Sequence, residues 1–373
     1  MNKLTPLQML SVLICARFFS MMTYFPFAYN NAFIYMLGSL ISTVIQAVLV
    51  IPVVMFGRRM INDNPCTLAV SKNKPVGYIV TVAYMVYFMI SAFMVIGNFV
   101  YFMDYYFSGY IPRLIAVICI VLASVYLGQM KTGVIGKTAV VAGACFILLT
   151  IIVVAGSITD LKLYNFHLAE NNIARPLWNS VKAEFSRGES LVLFAFLLSE
   201  IKSRDKSAGS ECGKTIWMYL GIKIAVLEII LTLITVILGD YALVTKLPFF
   251  SLAAYSQTDF IERYDAAFLF VWVIITVVKL GLLLSCSGKC IRIYAPALNS
   301  MRAVTLSAII PAVFSLFYLL PHKWESLAYK EGASLWIVML AIVIPTFMLL
   351  FVKKGGFTGE GGDDDVRKNG QKP

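Results

Sequence analysis

Residues 178–200 read WNSVKAEFSRGESLVLFAFLLSE, a polar stretch that closes on Gly188 and Glu189 and gives way to an apolar run ending at Glu200. That run is too short to cross about 30 Å of hydrocarbon, for which a helix needs about 20 residues. The polarity before it begins at Asp160 and includes Asn171, Asn172 and Pro176. A helix in two pieces, broken near Arg187 and Gly188, fits this pattern. Glycine tolerates the backbone angles of a break, and a break at membrane depth persists only where protein or a cavity satisfies its polar groups.

The surroundings support a membrane reading. The chain has 373 residues, of which 60% are hydrophobic and 14% charged. The apolar residues come in long blocks, as in a polytopic membrane protein. Besides the sixth block, 186–200 with its preceding segment, they fall near 5–25, 32–56, 76–106, 111–128, 134–157, 214–238, 264–288, 303–320 and 333–352. The expectation is an all-α polytopic membrane protein of about ten transmembrane helices. No n-region with a short h-region and cleavage site precedes the first block, so it reads as a retained span. With the N-terminus inside, the cytoplasmic side collects about twice as many Lys and Arg as the external side, which places both termini in the cytoplasm. The net charge of +11 is then explained by topology, and no nucleic-acid partner is expected. The segment Leu247–Ser256, LPFFSLAAYS, is apolar but short and reads as an external interfacial or re-entrant helix. Residues 1–352 read as one permease-like transmembrane domain, and 353–373, Gly-rich and charged, as a disordered cytoplasmic tail.

No metal motif, Walker loop, nucleophile elbow or Cys/His constellation is present, and both histidines, His167 and His322, fall in expected loops. Neither catalysis nor a cofactor is expected. Seven cysteines are scattered, and Cys286 with Cys290 reads as a packing pair. What remains is a set of polar residues inside apolar blocks: Arg17, Asn98, Asp104, Glu189, Lys223, Glu228 and Lys279. A charge at membrane depth costs about 3 kcal/mol or more, so each is a candidate for function. Arg17, followed by Ser20, reads either as a pocket residue or as a structural cation paired with a neighbouring carboxylate. Asp104, beside Tyr105 and Tyr106, reads as interfacial. Lys223 is expected to snorkel to the cytoplasmic end, while Glu228 needs a partner, for which Arg17 and Lys279 are the candidates. Lys279, about 22 Å into its span, either snorkels or acts as a buried charge that replaces a bound cation or carries a proton. Glu189 reads either as a ligand for an ammonium group or as an ordinary carboxylate at a helix N-terminus.

A second stretch, FIERYDAAFLFVWVI at 260–274, opens the eighth span. Together with Gly188 and Glu189 it resembles the spore germination permease family, the B subunits of nutrient germinant receptors, within the amino acid–polyamine–organocation transporter superfamily. The matching residues are Gly188, Glu189, Glu262, Arg263, Tyr264, Asp265 and Trp272. The resemblance implies a five-plus-five inverted repeat with discontinuous first and sixth helices around a pocket for an amino acid or similar nutrient. It also implies companion A-type and C-type subunits in the inner membrane of an endospore. Ligand-binding roles then fall to Gly188, Glu189, Arg17, Ser20 and Asn98. Ion or proton coupling falls to Lys279 and Glu228, and gating or structural roles to Glu262, Arg263 and Asp265. The chain departs from the family in its first helix, where RFFSMMTYF contains no glycine.

Overall fold

A chain in hydrocarbon has to pair its backbone N–H and C=O groups within itself, and each apolar block accordingly forms a helix. The computed structural model describes residues 3–23, 32–59, 64–107, 110–157, 161–165, 173–201, 208–239, 241–245, 247–255, 264–319 and 333–351. The first five spans are α1 (Pro6–Thr23), α2 (Ala32–Arg59), α4 (Lys74–Tyr106), α5 (Arg113–Gln129) and α6 (Thr132–Ser157), with a short α3 (Pro65–Lys72) between α2 and α4. The sixth is divided into α7 (Ala174–Phe185) and α8 (Glu189–Leu197). The seventh is α9 (Ala208–Leu233), which continues as a π-helical turn, Ile234–Leu238. After the short α10 (Tyr241–Val244) and α11 (Pro248–Tyr255) come α12 (Asp265–Tyr294) and α13 (Ser300–Leu319). The tenth span comprises α14 (Ala333–Val338), a π-helical turn at Met339–Val343 and α15 (Ile344–Phe351). Among the described residues seven helices are long and apolar enough to cross a membrane, and two shorter apolar ones with the divided sixth complete the set of ten. The expected tail at 353–373 lies outside the described residues.

The repeat is visible in the packing. Numbering spans 1–5 and 6–10, span 1 packs on span 7 and span 6 on span 2; span 1 packs on span 5 and span 6 on span 10. Likewise span 8 packs on spans 4 and 9, and span 3 on spans 9 and 4. Even the short helices correspond, α3 lying on α4 and α11 on α12. Because five spans are an odd number, the second set enters the membrane from the opposite face, and the repeat is inverted.

Among the described residues the first span is one continuous helix, Pro6–Thr23, with no glycine at which leaving the helix would be cheap. The following residues, 24–31, lie outside the described set. The sixth span does break where expected, between Phe185 and Glu189. α1 and α8 are buried almost all round, as all-apolar helices must be, whereas α5, α6 and α13 expose apolar side chains outward. The break therefore lies in the middle of the bundle.

Candidate binding site at the break in the sixth span

Just before the break stands Glu184, whose side chain is fully buried. Its Oε2 accepts from Arg17 Nη2 of α1 at 2.6 Å, and its Oε1 lies 3.0 Å from Lys223 Nζ of α9. Tyr35 of α2 donates to Oε2 at 3.2 Å, and Arg187 donates to the Tyr35 hydroxyl at 2.5 Å. Lys223 also donates to Gln46 Oε1 at 2.8 Å. One carboxylate thus gathers charges from spans 1, 2, 6 and 7. The snorkelling expected of Lys223 is corrected: it is 1% exposed, because Glu184 and Gln46 satisfy its ammonium where it lies. Glu184 was not singled out in the sequence, where it stood in an apparently polar lead-in.

Just after the break, Glu189 opens α8 and faces Lys279 of α12, Oε2 to Nζ 2.7 Å. Lys279 is 2% exposed and also meets Ser20 Oγ of α1 at 3.4 Å and the Phe19 ring at 4.6 Å from its centroid. It stands 14 residues from one end of α12 and 15 from the other, roughly 21 Å either way, so its stem reaches neither membrane surface. Tyr219 of α9 lies between the two clusters. It is 1% exposed, its hydroxyl is 2.5 Å from Ser190 Oγ, and its phenol feels the charges of Arg17, Glu184 and Glu189. The partners suggested for Glu228 are corrected too. Arg17 is committed to Glu184 and Lys279 to Glu189, while Glu228 accepts from Ser39 of α2.

The break is a tight turn. The amides of Ser186, Arg187 and Gly188 donate to the carbonyls of Lys182, Glu184 and Phe185 at 2.8, 3.2 and 2.9 Å. These amides are used locally, so recognition here falls to side chains. Among the described residues four buried polar atoms around the break have no hydrogen-bond partner: the donors Arg17 Nε and Nη1 and the acceptors Glu184 Oε1 and Glu189 Oε1; Glu184 Oε1 faces Lys223 Nζ at 3.0 Å, and the other three can receive a ligand.

Both ends of this core are shut. On the side of the α1 C-terminus, Trp272 is fully buried, donates to Thr23 Oγ1 at 3.1 Å, and packs with Phe19, Phe99, Phe102 and Phe250. On the N-terminal side, Leu4 donates its amide to Glu200 O at 2.7 Å, and Glu200 pairs with Lys289 of α12. The other residues marked in the sequence are dispersed. Asn98 is half-buried on α4, and Asp104 pairs with Arg113 at 2.6 Å on the partly exposed rim. Asp265 is buried and accepts from Tyr106 at 2.7 Å, tying the start of α12 to span 3. Glu262 and Arg263 lie outside the described residues.

This arrangement of helices is found in solved structures. One is a Na+-coupled sialic acid symporter in its substrate-bound outward-open state, aligned with a TM-score of 0.59 at 10% identity over 94% of this chain and 91% of that one. Another is MhsT in complex with L-phenylalanine, with a TM-score of 0.59 at 11% identity over 94% and 99% of the two chains. The chain shares the fold of these two structures. At these identities the likeness is one of fold alone. No protein-family model matches the sequence, and no curated protein matches it.

Proposed function

We propose that the chain binds a small zwitterionic nutrient such as an amino acid at the break. The ligand carboxylate takes an Arg17 Nη1–H, and its ammonium takes Glu189 Oε1. The observation that carries this reading is the set of unpartnered donors and acceptor on two residues that border Tyr219 in a water-poor core. Gly188 lets the turn that brings Glu189 there close on the Phe185 carbonyl, whose oxygen would stand 3.0 Å from a Cβ, and Ser20 meets Lys279 behind it.

In the proposal the chain is the membrane subunit of a spore nutrient germinant receptor, which senses the nutrient and signals germination through A-type and C-type companions. It resides in the inner membrane of an endospore, or in a bacterial cell membrane, with both termini and a 353–373 tail in the cytoplasm. Sensing is favoured over continuous transport by the continuous helix Pro6–Thr23, by the ion pairs that hold span 6 to spans 1 and 7, and by the Tyr35 hydrogen bond from span 2. The second reading, a stand-alone proton- or sodium-coupled amino acid transporter with coupling through Lys279 or Glu228, is supported by the fold shared with transporters. A thermal-shift screen of the purified protein against single amino acids tests the pocket, since a ligand bound only by the folded state raises Tm. At least one amino acid should stabilise the wild type and have no effect on Glu189→Gln; a response unchanged in that variant removes Glu189 from the site. Uptake of that amino acid by the protein alone in liposomes would select the transporter reading.

A further inference from the structure

One of the solved structures with this fold is described as Na+-coupled, so the fold raises the question of a sodium site. Sodium is a hard cation and takes oxygen ligands, with carboxylates the strongest at membrane depth. The buried carboxylates around the break are already in contact with cations of the chain itself: Glu184 with Arg17 and Lys223, Glu189 with Lys279. Among the described residues no group of three or more His, Cys, Asp or Glu side chains converges on a metal position. The carboxylates at the break are thus already neutralised by the chain's own cations.

We infer that the Lys279 ammonium is the resident monovalent cation of this core, and that the protein therefore binds neither sodium nor potassium at the junction of spans 1, 6 and 8. The surroundings of Nζ are those of a bound monovalent cation: a carboxylate at 2.7 Å, a hydroxyl at 3.4 Å and an aromatic face at 4.6 Å, contributed by α8 and α1. A sodium or potassium ion at this junction would need the position that Nζ already fills, between Glu189 Oε2, Ser20 Oγ and the Phe19 face. The charge comes with the chain, so its presence does not depend on the ionic composition outside.

Removing the ammonium while keeping its cradle makes the inference testable. Purified wild-type protein should give the same Tm in NaCl, KCl and choline chloride at equal ionic strength. Lys279→Ala leaves Glu189, Ser20 and Phe19 around a space the size of an alkylammonium head. Its Tm should rise by about 2 °C or more in methylammonium chloride or NaCl relative to choline chloride. The double variant Lys279→Met with Glu189→Gln, neutral on both sides, should fold and show no cation response. A wild type stabilised by sodium over choline overturns the inference, as does a folded Lys279→Ala that no small cation stabilises. If Lys279→Ala does not fold, the wild-type comparison and the double variant still decide. No nutrient enters these measurements, so their outcome is separate from that of the amino-acid screen.

Discussion

Replacing Glu184 by alanine removes the single carboxylate that faces both Arg17 and Lys223. The two cations are 2% and 1% exposed, and their shortest contacts to Glu184 are 2.6 and 3.0 Å. Neither has a route to water, so both charges remain buried and uncompensated. Removing one partner of a buried pair costs about 3–5 kcal/mol, and here one deletion strands two charges, which puts the change at the upper part of that range. With about 2 °C of Tm lost per kcal/mol in a chain of this size, Tm should fall by about 8–10 °C. The order of effects is the sharper test. Arg17→Met leaves Glu184 with Lys223 and Tyr35, and Lys223→Met leaves it with Arg17 and Tyr35, so each should cost less than Glu184→Ala. Because all three groups share one network, the triple variant Arg17→Met, Glu184→Leu, Lys223→Met should recover part of the loss instead of adding to it. Thermal unfolding in nanodiscs, followed by tryptophan fluorescence, measures the series. A Glu184→Ala protein within 2 °C of wild type, or a triple variant as unstable as the sum of the singles, would refute the shared-carboxylate argument.

Gly38 allows α2 to lie against the outer half of span 6: a Cβ there would stand 2.5 Å from Ser180 Cβ and 3.1 Å from the Val181 amide nitrogen. The second contact is backbone and cannot rotate away, so Gly38→Val should destabilise by about 1–3 kcal/mol, and an unchanged Tm would mean that the two helices are not in close contact. The Asp104–Arg113 pair makes the opposite case. Its side chains are 26% and 31% exposed, so Asp104→Ala should change stability by less than about 1 kcal/mol despite the 2.6 Å contact, and a loss above about 4 °C would contradict that rim position.

Span number and position were legible because hydrocarbon thickness imposes a length on every apolar block. The block expected at 32–56 is the helix Ala32–Arg59, and that at 134–157 is Thr132–Ser157. The broken sixth span was legible for the complementary reason, an apolar run too short to cross. α3 was missed although it carries a local signature: Asn64 before Pro65 caps α3 and Asn73 caps α4, each asparagine side chain accepting an amide three residues on. The site was only half legible. Arg17, Glu189 and Lys279 stand out against apolar neighbours, whereas Glu184 is hidden in a polar segment that resembles a headgroup-level lead-in. A count of charges would have pointed to it. Arg17 and Lys223 are two cations at membrane depth, and Glu228, five residues from Lys223 and off its helical face, cannot serve both. Arg17, Lys223, Glu189 and Lys279 were therefore visible as intramembrane charges, and what the sequence lacked was Glu184 and the pairing, which depends on how spans 1, 6, 7 and 8 meet.

That pairing divides the molecule into two parts. The bonds to Glu184 all lie within spans 1, 2, 6 and 7, which pack on one another, while spans 3, 4, 8 and 9 form a second mutually packed group. Among the described residues two ion pairs link the sixth span to the eighth, Glu189 with Lys279 at the break and Glu200 with Lys289 at the N-terminal face. Any movement of one group against the other has to stretch these two. The first involves the very carboxylate proposed to receive a ligand ammonium, so on that reading nutrient and Lys279 share the charge of Glu189, and binding loosens the hold of the sixth span on the eighth. The same step serves a sensor, which needs only the loosening, and a transporter, which needs the full displacement. Glu200 and Lys289 separate the two: the pair lies beyond the pocket, no ligand contact replaces it, and its side chains are only 14% and 25% exposed. A chain that keeps this pair closed while Glu189 exchanges partners transmits a signal from the pocket without opening a path through the N-terminal face.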